Sequence, residues 1–155
     1  MSLLELVVNP NAGRTVLPDC CNEETFAAVR AFHQTLPGYA PTPLVALPAL
    51  ARQLGVKGIY LKDESHRFGL KAFKALGASY AIHQLLGDRA ESGFLTVTAT
   101  DGNHGKGMAW STHRMGGHAV VFMPAGTVDS RVEAIRAIGD TEVTVTEENY
   151  DGTVA

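Results

Sequence analysis

Two short stretches hold the residue types that could do chemistry in this chain. They are Lys62–Gly77, reading KDESHRFGLKAFKALG, and Thr98–Gly105, reading TATDGNHG. Of the three lysines in the first, Lys71 and Lys74 compete as the reactive amine, three residues apart and therefore near one face of a continuous helix. Lys74 sits where an apolar-periodic helix is predicted to begin. The positive end of the helix dipole slightly disfavours an ammonium there, so a neutral amine or imine is easier to hold. The second stretch places Thr100, Asp101, Gly102, Asn103 and His104 just ahead of another helix. Free backbone N–H groups at a helix N-terminus, with glycines allowing close approach, make an anion site. Together the two stretches suggest a lysine that forms a Schiff base, facing a loop that holds a cofactor and a substrate carboxylate. The loop also reads as a plain N-cap turn, because Thr, Asp and Asn all cap helices well. Spacing by itself does not separate these readings. Asp101 adds a further constraint, since a carboxylate is costly where a substrate carboxylate arrives beside it. Its presence is easier to explain if it takes a proton.

Both stretches follow one plan of apolar strand, polar loop and helix, the strands being Gly58–Leu61 and Phe94–Ala99. Phe94–Ala99 carries no charge and is predicted to be buried on both faces of a parallel sheet. Two such turns put their loops at one edge of that sheet, where ligands bind in open α/β folds. Upstream, a turn is predicted at Asn9–Gly13 and a helix at Glu23–Leu36, capped by Asn22 and closed by Gly38. Its Phe26, Val29, Ala31, Phe32 and Leu36 lie near one face. Pro41–Leu44 should be extended, and Leu47–Leu54 a short helix ended by Gly55. Downstream, the periodicity predicts helices at Phe73–Leu86, ended by Gly87-Asp88, and at His104–His113, stopped by Met115-Gly116-Gly117. A strand at Ala119–Met123 follows, then a helix at Arg131–Ile138 capped by Asp129 or Ser130. A strand at Glu142–Thr146 leads into the start of one more helix. The order β-α-β-α-β-α-β implies an α/β fold, with right-handed crossovers, a parallel twisted sheet and helices on both faces.

A length of 155 residues with 45% hydrophobic and 19% charged content suits a single globular unit. A net charge of −3 and a pI near 6.0 give no electrostatic case for nucleic acid or an anionic membrane as partner. No apolar run approaches the ~18 residues of a membrane span. The opening Met1–Val8 is short, lacks a basic region and contains Glu5, which is unlike a signal peptide and points to the cytoplasm. Cys20 and Cys21 are adjacent and cannot staple distant segments. Gly102–Lys106 lacks the spacing of a phosphate-binding P-loop. His113 and His118 have zinc-like spacing without a cysteine pair, so no metal is expected. His33, His66 and His83 read as surface or half-buried residues and Trp110 as a core aromatic. Asp63 and Glu64 should point to opposite sides, and Arg67 should meet either a phosphate or an acidic neighbour in its loop.

Asp63–Gly77 and Thr98–Gly105 resemble the tryptophan-synthase-like, fold type II pyridoxal-phosphate enzymes, and the resemblance runs from Thr42 to Tyr150. It implies pyridoxal 5'-phosphate held as an imine by Lys74, directly before Ala75-Leu76-Gly77. Lys71 stands where that family often has an amide. Asn103 is implied to hydrogen-bond the phenolic oxygen of the cofactor, and Thr100, Asp101, Gly102 and His104 to meet the substrate. Most of the family has a small residue at the position of Asp101. A carboxylate there resembles the family's ammonia-lyases, which convert 2,3-diaminopropionate to pyruvate and ammonia by α,β-elimination. Asp101 would then be a base on the face opposite Lys74, so that both enantiomers react, each with its own base. The alternatives are a threonine or serine dehydratase-like enzyme and a non-catalytic module of the same fold. The family's layout makes residues 1–64 the N-terminal segment of a large domain and 65–155 an incomplete small α/β domain. The glycine-rich phosphate loop and the residue facing the pyridine nitrogen are expected in a C-terminal part. Without that part the chain alone should bind the cofactor poorly and be inactive. The complete enzyme is implied to be a homodimer.

Overall fold

α1 (Glu23–Thr35) starts where its cap predicts, with the Asn22 side chain accepting from the Thr25 N–H at 2.8 Å. The structure, a computed structural model, describes residues 18–87 and 93–155. The predicted turn at Asn9–Gly13, the opening apolar stretch and Asp88 lie outside these residues. After α1 come β1 (Leu44–Ala46), α2 (Pro48–Leu54), β2 (Tyr60–Lys62) and a 3-10 turn over Glu64–Gly69. α3 (Lys74–Leu86), β3 (Leu95–Ala99), α4 (Asn103–Arg114) and β4 (His118–Met123) follow. α5 (Asp129–Arg136), β5 (Thr141–Val145) and α6 (Tyr150–Val154) complete the order. No helix among the described residues is long and apolar enough to cross a membrane.

The α/β class with a parallel sheet and packed helices is observed. β3, β4 and β5 form a parallel sheet in that order, with Ala99 beside Phe122 and Met123 beside Val145 at its C-terminal edge. β4 is the central strand, and its burial alternates so that Ala119, Val121 and Met123 point inward. Ala109 of α4 and Val132 and Ile135 of α5 close over them to form the core. The Val, Ile and Met side chains among them each contribute about 1.5–3 kcal/mol on burial, so this face anchors the starts of α4 and α5. β3 departs from expectation. Leu95 and Val97 are each 59% exposed, because β3 is an edge strand whose inward face alone meets α4. α5 also starts differently: Val128 is its N-cap, and no side chain from Asp129 or Ser130 caps it. In α1 the apolar stripe is partly buried: Val29, Phe32 and Leu36 are half-buried beside His33, and Phe32 packs on Tyr80 and His83 of α3. Phe26 is 61% exposed, while His33 is buried and its Nε2 meets the Leu76 carbonyl of α3 at 2.8 Å.

The largest correction concerns β2, which does not join the parallel sheet. It pairs antiparallel with β1, Leu44 opposite Lys62 and Ala46 opposite Tyr60, in a separate two-stranded sheet. The extended Pro41–Leu44 segment supplies the partner, and the Asp63 N–H bonding to the Pro43 carbonyl at 2.9 Å lengthens the ladder. The strand before Lys74 and the strand before Asn103 are therefore in different sheets, and α3 is brought to the parallel sheet by packing on α4.

The turn between β2 and α3 is tied down by Arg67, which is 5% exposed. Its guanidinium forks onto the Glu64 carboxylate at 2.9 and 3.0 Å and donates to the Ala40 carbonyl at 2.8 Å. It also lies 5.3 Å from the centre of the Tyr39 ring. Asp63 faces elsewhere, accepting from the Ser65 N–H, so the adjacent acids do diverge and Arg67 takes the acidic neighbour. The hydrogen bond from Arg67, aided by the Thr42 hydroxyl against the cost of desolvation, holds the Glu64 carboxyl below the usual carboxylate range. A carboxyl depressed in the folded state stabilises the fold above its ordinary value near 4.5, and that stability is lost as pH falls through the lowered folded value. Glu64→Gln should lower stability at neutral pH by about 1–2 kcal/mol and flatten the acid limb of the thermal-melt profile. An acid limb of the original slope in the variant would contradict this role.

Phe68 and Lys71 adopt left-handed backbone conformations, with φ of +50° and +56°. Phe68 is held there by stacking on Trp110 of α4, 4.4 Å between ring centres. Lys71 is exposed and lacks such compensation, which gives a backbone reason for an amide at that position: Asn tolerates this region better than Lys. Lys71→Asn is expected to stabilise the protein by roughly 0.5–1 kcal/mol in chemical denaturation; a lower midpoint would contradict that.

Candidate active site

The helices that follow β3, β4 and β5 all begin at the C-terminal edge of the parallel sheet. Asn103, His104 and Lys106 come from the first turn of α4, Arg131 from the first turn of α5 and Tyr150 from the start of α6. Together with Lys74 at the first position of α3, they line one cleft of about 530 Å³, which also takes in Thr100, Asp101 and Gly102. Lys74, Thr100, Asp101, Gly102, Asn103 and His104 thus meet on one concave surface, which Lys71 and Arg67 do not line. A larger hollow of about 670 Å³ runs along α1, but it holds none of them.

Lys74 reaches this surface because α3 crosses α4 closely. A Cβ built on Gly107 would fall 2.8 Å from the Lys74 carbonyl carbon and 2.8 Å from the Ala75 nitrogen. The missing side chain is what lets the backbone of Lys74 rest on α4. Gly105 does the same for the sheet, since a Cβ there would meet Thr100 at 2.6 Å and Ile135 at 2.9 Å. These two glycines sit in the same helix turn as Lys106 and set the distance between the amine and the loop.

The loop is held from beneath by Thr100, which is 2% exposed. The Thr100 N–H continues the ladder to the Phe122 carbonyl at 2.9 Å. Its hydroxyl oxygen accepts from the Gly102 N–H at 3.1 Å and the Gly105 N–H at 3.2 Å. Thr100 is therefore first a support of the loop, with one hydroxyl proton left to donate, and the Gly102 N–H is already bonded within the loop. The Asn103 and His104 N–H groups lie in the first turn of α4, where a helix has no carbonyl of its own to offer them. Asp101, Asn103, His104 and Lys74 are all exposed at the cleft. Lys74, Lys106 and Arg131 outweigh the one carboxylate, Asp101, so the cleft favours an anionic guest.

The residues present fit pyridoxal phosphate as far as this chain goes. An accessible lysine amine, an amide and helix N–H donors share a cleft large enough for a substituted pyridine ring and a small amino acid. Lys106, Arg131 and Tyr150 were not singled out from the sequence. The register of the parallel sheet was the available signal, because it aligns the starts of three successive helices at one edge. His118 lies at the far end of β4, where its ring pairs with Asp140 at 2.9 Å and Glu142 at 3.3 Å. Donating a hydrogen bond to the Asp140 carboxylate raises the pKa of the ring, and His118 takes no part in the cleft.

Comparison with known proteins agrees with this geometry. Residues 35–155 match the family model described as pyridoxal-phosphate dependent enzyme. The chain is 48% identical over 141 residues to the diaminopropionate ammonia-lyase of Escherichia coli strain K12, covering 81% of this chain and 35% of that protein. It is 44% identical over 146 residues to the diaminopropionate ammonia-lyase of Salmonella typhimurium, with 81% and 36% covered. Among solved structures, the Escherichia coli diaminopropionate ammonia-lyase in complex with an aminoacrylate-PLP azomethine reaction intermediate superposes with a TM-score of 0.82 at 45% identity. That match covers 88% of this chain and 38% of the other. The chain thus spans about a third of the length of the curated relatives it matches.

Proposed function

This chain belongs to the family of pyridoxal-phosphate dependent enzymes, and on that premise we propose that it forms one wall of the active site of an ammonia-lyase acting on 2,3-diaminopropionate. The observation that carries the reading is Asp101, a carboxylate sharing the cleft of Lys74 and Asn103. The relatives named diaminopropionate ammonia-lyase support it. When bound, pyridoxal phosphate supplies the electron sink that lets a Cα proton leave an amino acid. Lys74 would hold the group covalently, and the Asn103 amide would fix the tilt of its ring. The Asn103 and His104 N–H groups, with the Lys106 ammonium nearby, receive the substrate carboxylate. Lys74 takes the Cα proton of one enantiomer and Asp101 that of the other, from the opposite side. The β-amine then leaves as ammonia, and the enamine released is hydrolysed by one water to pyruvate and a second ammonia.

We divide the chain at residue 64, with 1–64 assigned to a large domain and 65–155 to a small one; the separate two- and three-stranded sheets support that division. The same reading makes the complete enzyme a cytoplasmic homodimer. The test is a substrate panel on the full-length protein that carries this sequence. Pyruvate release from both enantiomers of 2,3-diaminopropionate, well above that from threonine or serine, is the expected result. Preference for threonine or serine would replace this reading with a dehydratase.

A further inference from the structure

The cleft contains a cation that the proposed chemistry leaves without a role, Arg131. We propose that Arg131 is the positioning residue of Asp101, a role that rests on the reading of Asp101 as the second base. The two lie 30 residues apart in sequence, yet Arg131 Nη1 donates to the Asp101 carbonyl at 3.1 Å. Among the described residues this is the only hydrogen bond that Asp101 makes. Its neighbours are fixed by other means. Thr100 is pinned to β4 and Gly102 to the Thr100 hydroxyl. Asp101 is the exposed crest between them, and the guanidinium is what ties that crest down.

The anchor itself is firm. Arg131 sits in the first turn of α5, its own N–H bonded to the Val128 carbonyl at 2.9 Å. The adjoining Val132 and Ile135 are 4% and 0% exposed in the core. The Cδ of Arg131 lies 3.8 Å from the place a Cβ of Gly102 would occupy, so its stem runs along the loop. A donor carried on a packed helix and bonded to a backbone carbonyl restrains the chain at Asp101 without engaging its carboxylate. Asp101 keeps its side chain free to meet a proton at Cα while its Cα stays in place. A reacting group displaced by a fraction of an ångström loses much of its rate, so the restraint acts on whatever Asp101 does and spares what Lys74 does.

The experiment uses the full-length protein with Arg131→Ala, Arg131→Lys and Asp101→Asn. In the cofactor-free protein, Arg131→Ala should speed hydrogen exchange in a peptide spanning 100–106 while leaving peptides of α5 as protected as before. In the loaded enzyme it should lower kcat for the enantiomer that depends on Asp101 by roughly 10- to 100-fold, with KM little changed and the other enantiomer affected far less. Arg131→Lys, which keeps one donor, should recover part of the loss. A rise in KM for both enantiomers, with kcat preserved, would overturn the proposal by making Arg131 a direct carboxylate ligand. Unchanged exchange and an unchanged enantiomer ratio would also overturn it, provided Asp101→Asn does alter that ratio. If Asp101→Asn leaves the ratio as it was, the fault lies with the two-base reading instead.

Discussion

Asp101→Asn is expected to abolish turnover of D-2,3-diaminopropionate while leaving much of the activity on the L-enantiomer. The substitution keeps the size of the side chain and removes only its capacity to take a proton. Its backbone partner, the Arg131 guanidinium, binds the carbonyl and is undisturbed. The loop therefore keeps its shape, held by Thr100 from beneath. Removing a general base costs about 10²–10⁴-fold in rate, and on the proposed division of labour, with Lys74 serving the other, the loss should fall on one enantiomer. Parallel kinetics on the two enantiomers read this directly. Equal D-isomer rates in variant and parent would remove Asp101 from the chemistry.

Gly107→Ala should damage both stability and activity, because the added methyl group meets backbone. The added carbon would lie 2.8 Å from the Lys74 carbonyl carbon and 3.0 Å from the Lys74 carbonyl oxygen, both backbone atoms of a helix start. Neither can swing aside as a side-chain end would, so α3 must move off α4. Overpacking of this kind costs about 1–3 kcal/mol of stability. Displacing the reactive amine adds a loss on the order of 10²-fold in activity. Gly77→Ala, by contrast, places a methyl group where no atom lies within 4 Å, and it should leave the melting temperature unchanged or higher. A Gly107→Ala protein with the parent's melting temperature and cofactor affinity would show that α4 does not set the position of Lys74.

The elements were largely legible because their signals are local. Asn22 caps α1, Gly55 ends α2 in a left-handed conformation, and Met115-Gly116-Gly117 closes α4. The membership of the candidate site was legible too, since Lys74 and the stretch Thr100–His104 do share a cleft. The reason they share it was not. The sequence pattern suggested two loops on one parallel sheet, whereas β2 belongs to another sheet and the convergence depends on a glycine contact between α3 and α4. Strand pairing is a long-range choice that a three-residue strand does not announce, and close helix approach needs knowledge of the facing helix. Arg131 and Tyr150 were hidden for a related reason, because only the register of β3, β4 and β5 reveals which helix starts are neighbours. His33 was hidden by its own polarity, its ring being buried among Phe32, Tyr39 and Tyr80 with its nitrogen satisfied by a carbonyl of α3.

The proposed chemistry requires that the Lys74 amine, and no other, meet the cofactor beside Asn103. Three lysines compete for that position: Lys74 and Lys106 line the cleft, and Lys71 lies three residues ahead of Lys74, before α3 begins. Borohydride reduction of the full-length protein after addition of pyridoxal phosphate, followed by peptide mapping, separates them. A stable pyridoxyl group on Lys74, absent from Lys74→Ala, is the expected result. A label on Lys106 or Lys71, or one that persists in Lys74→Ala, would contradict it.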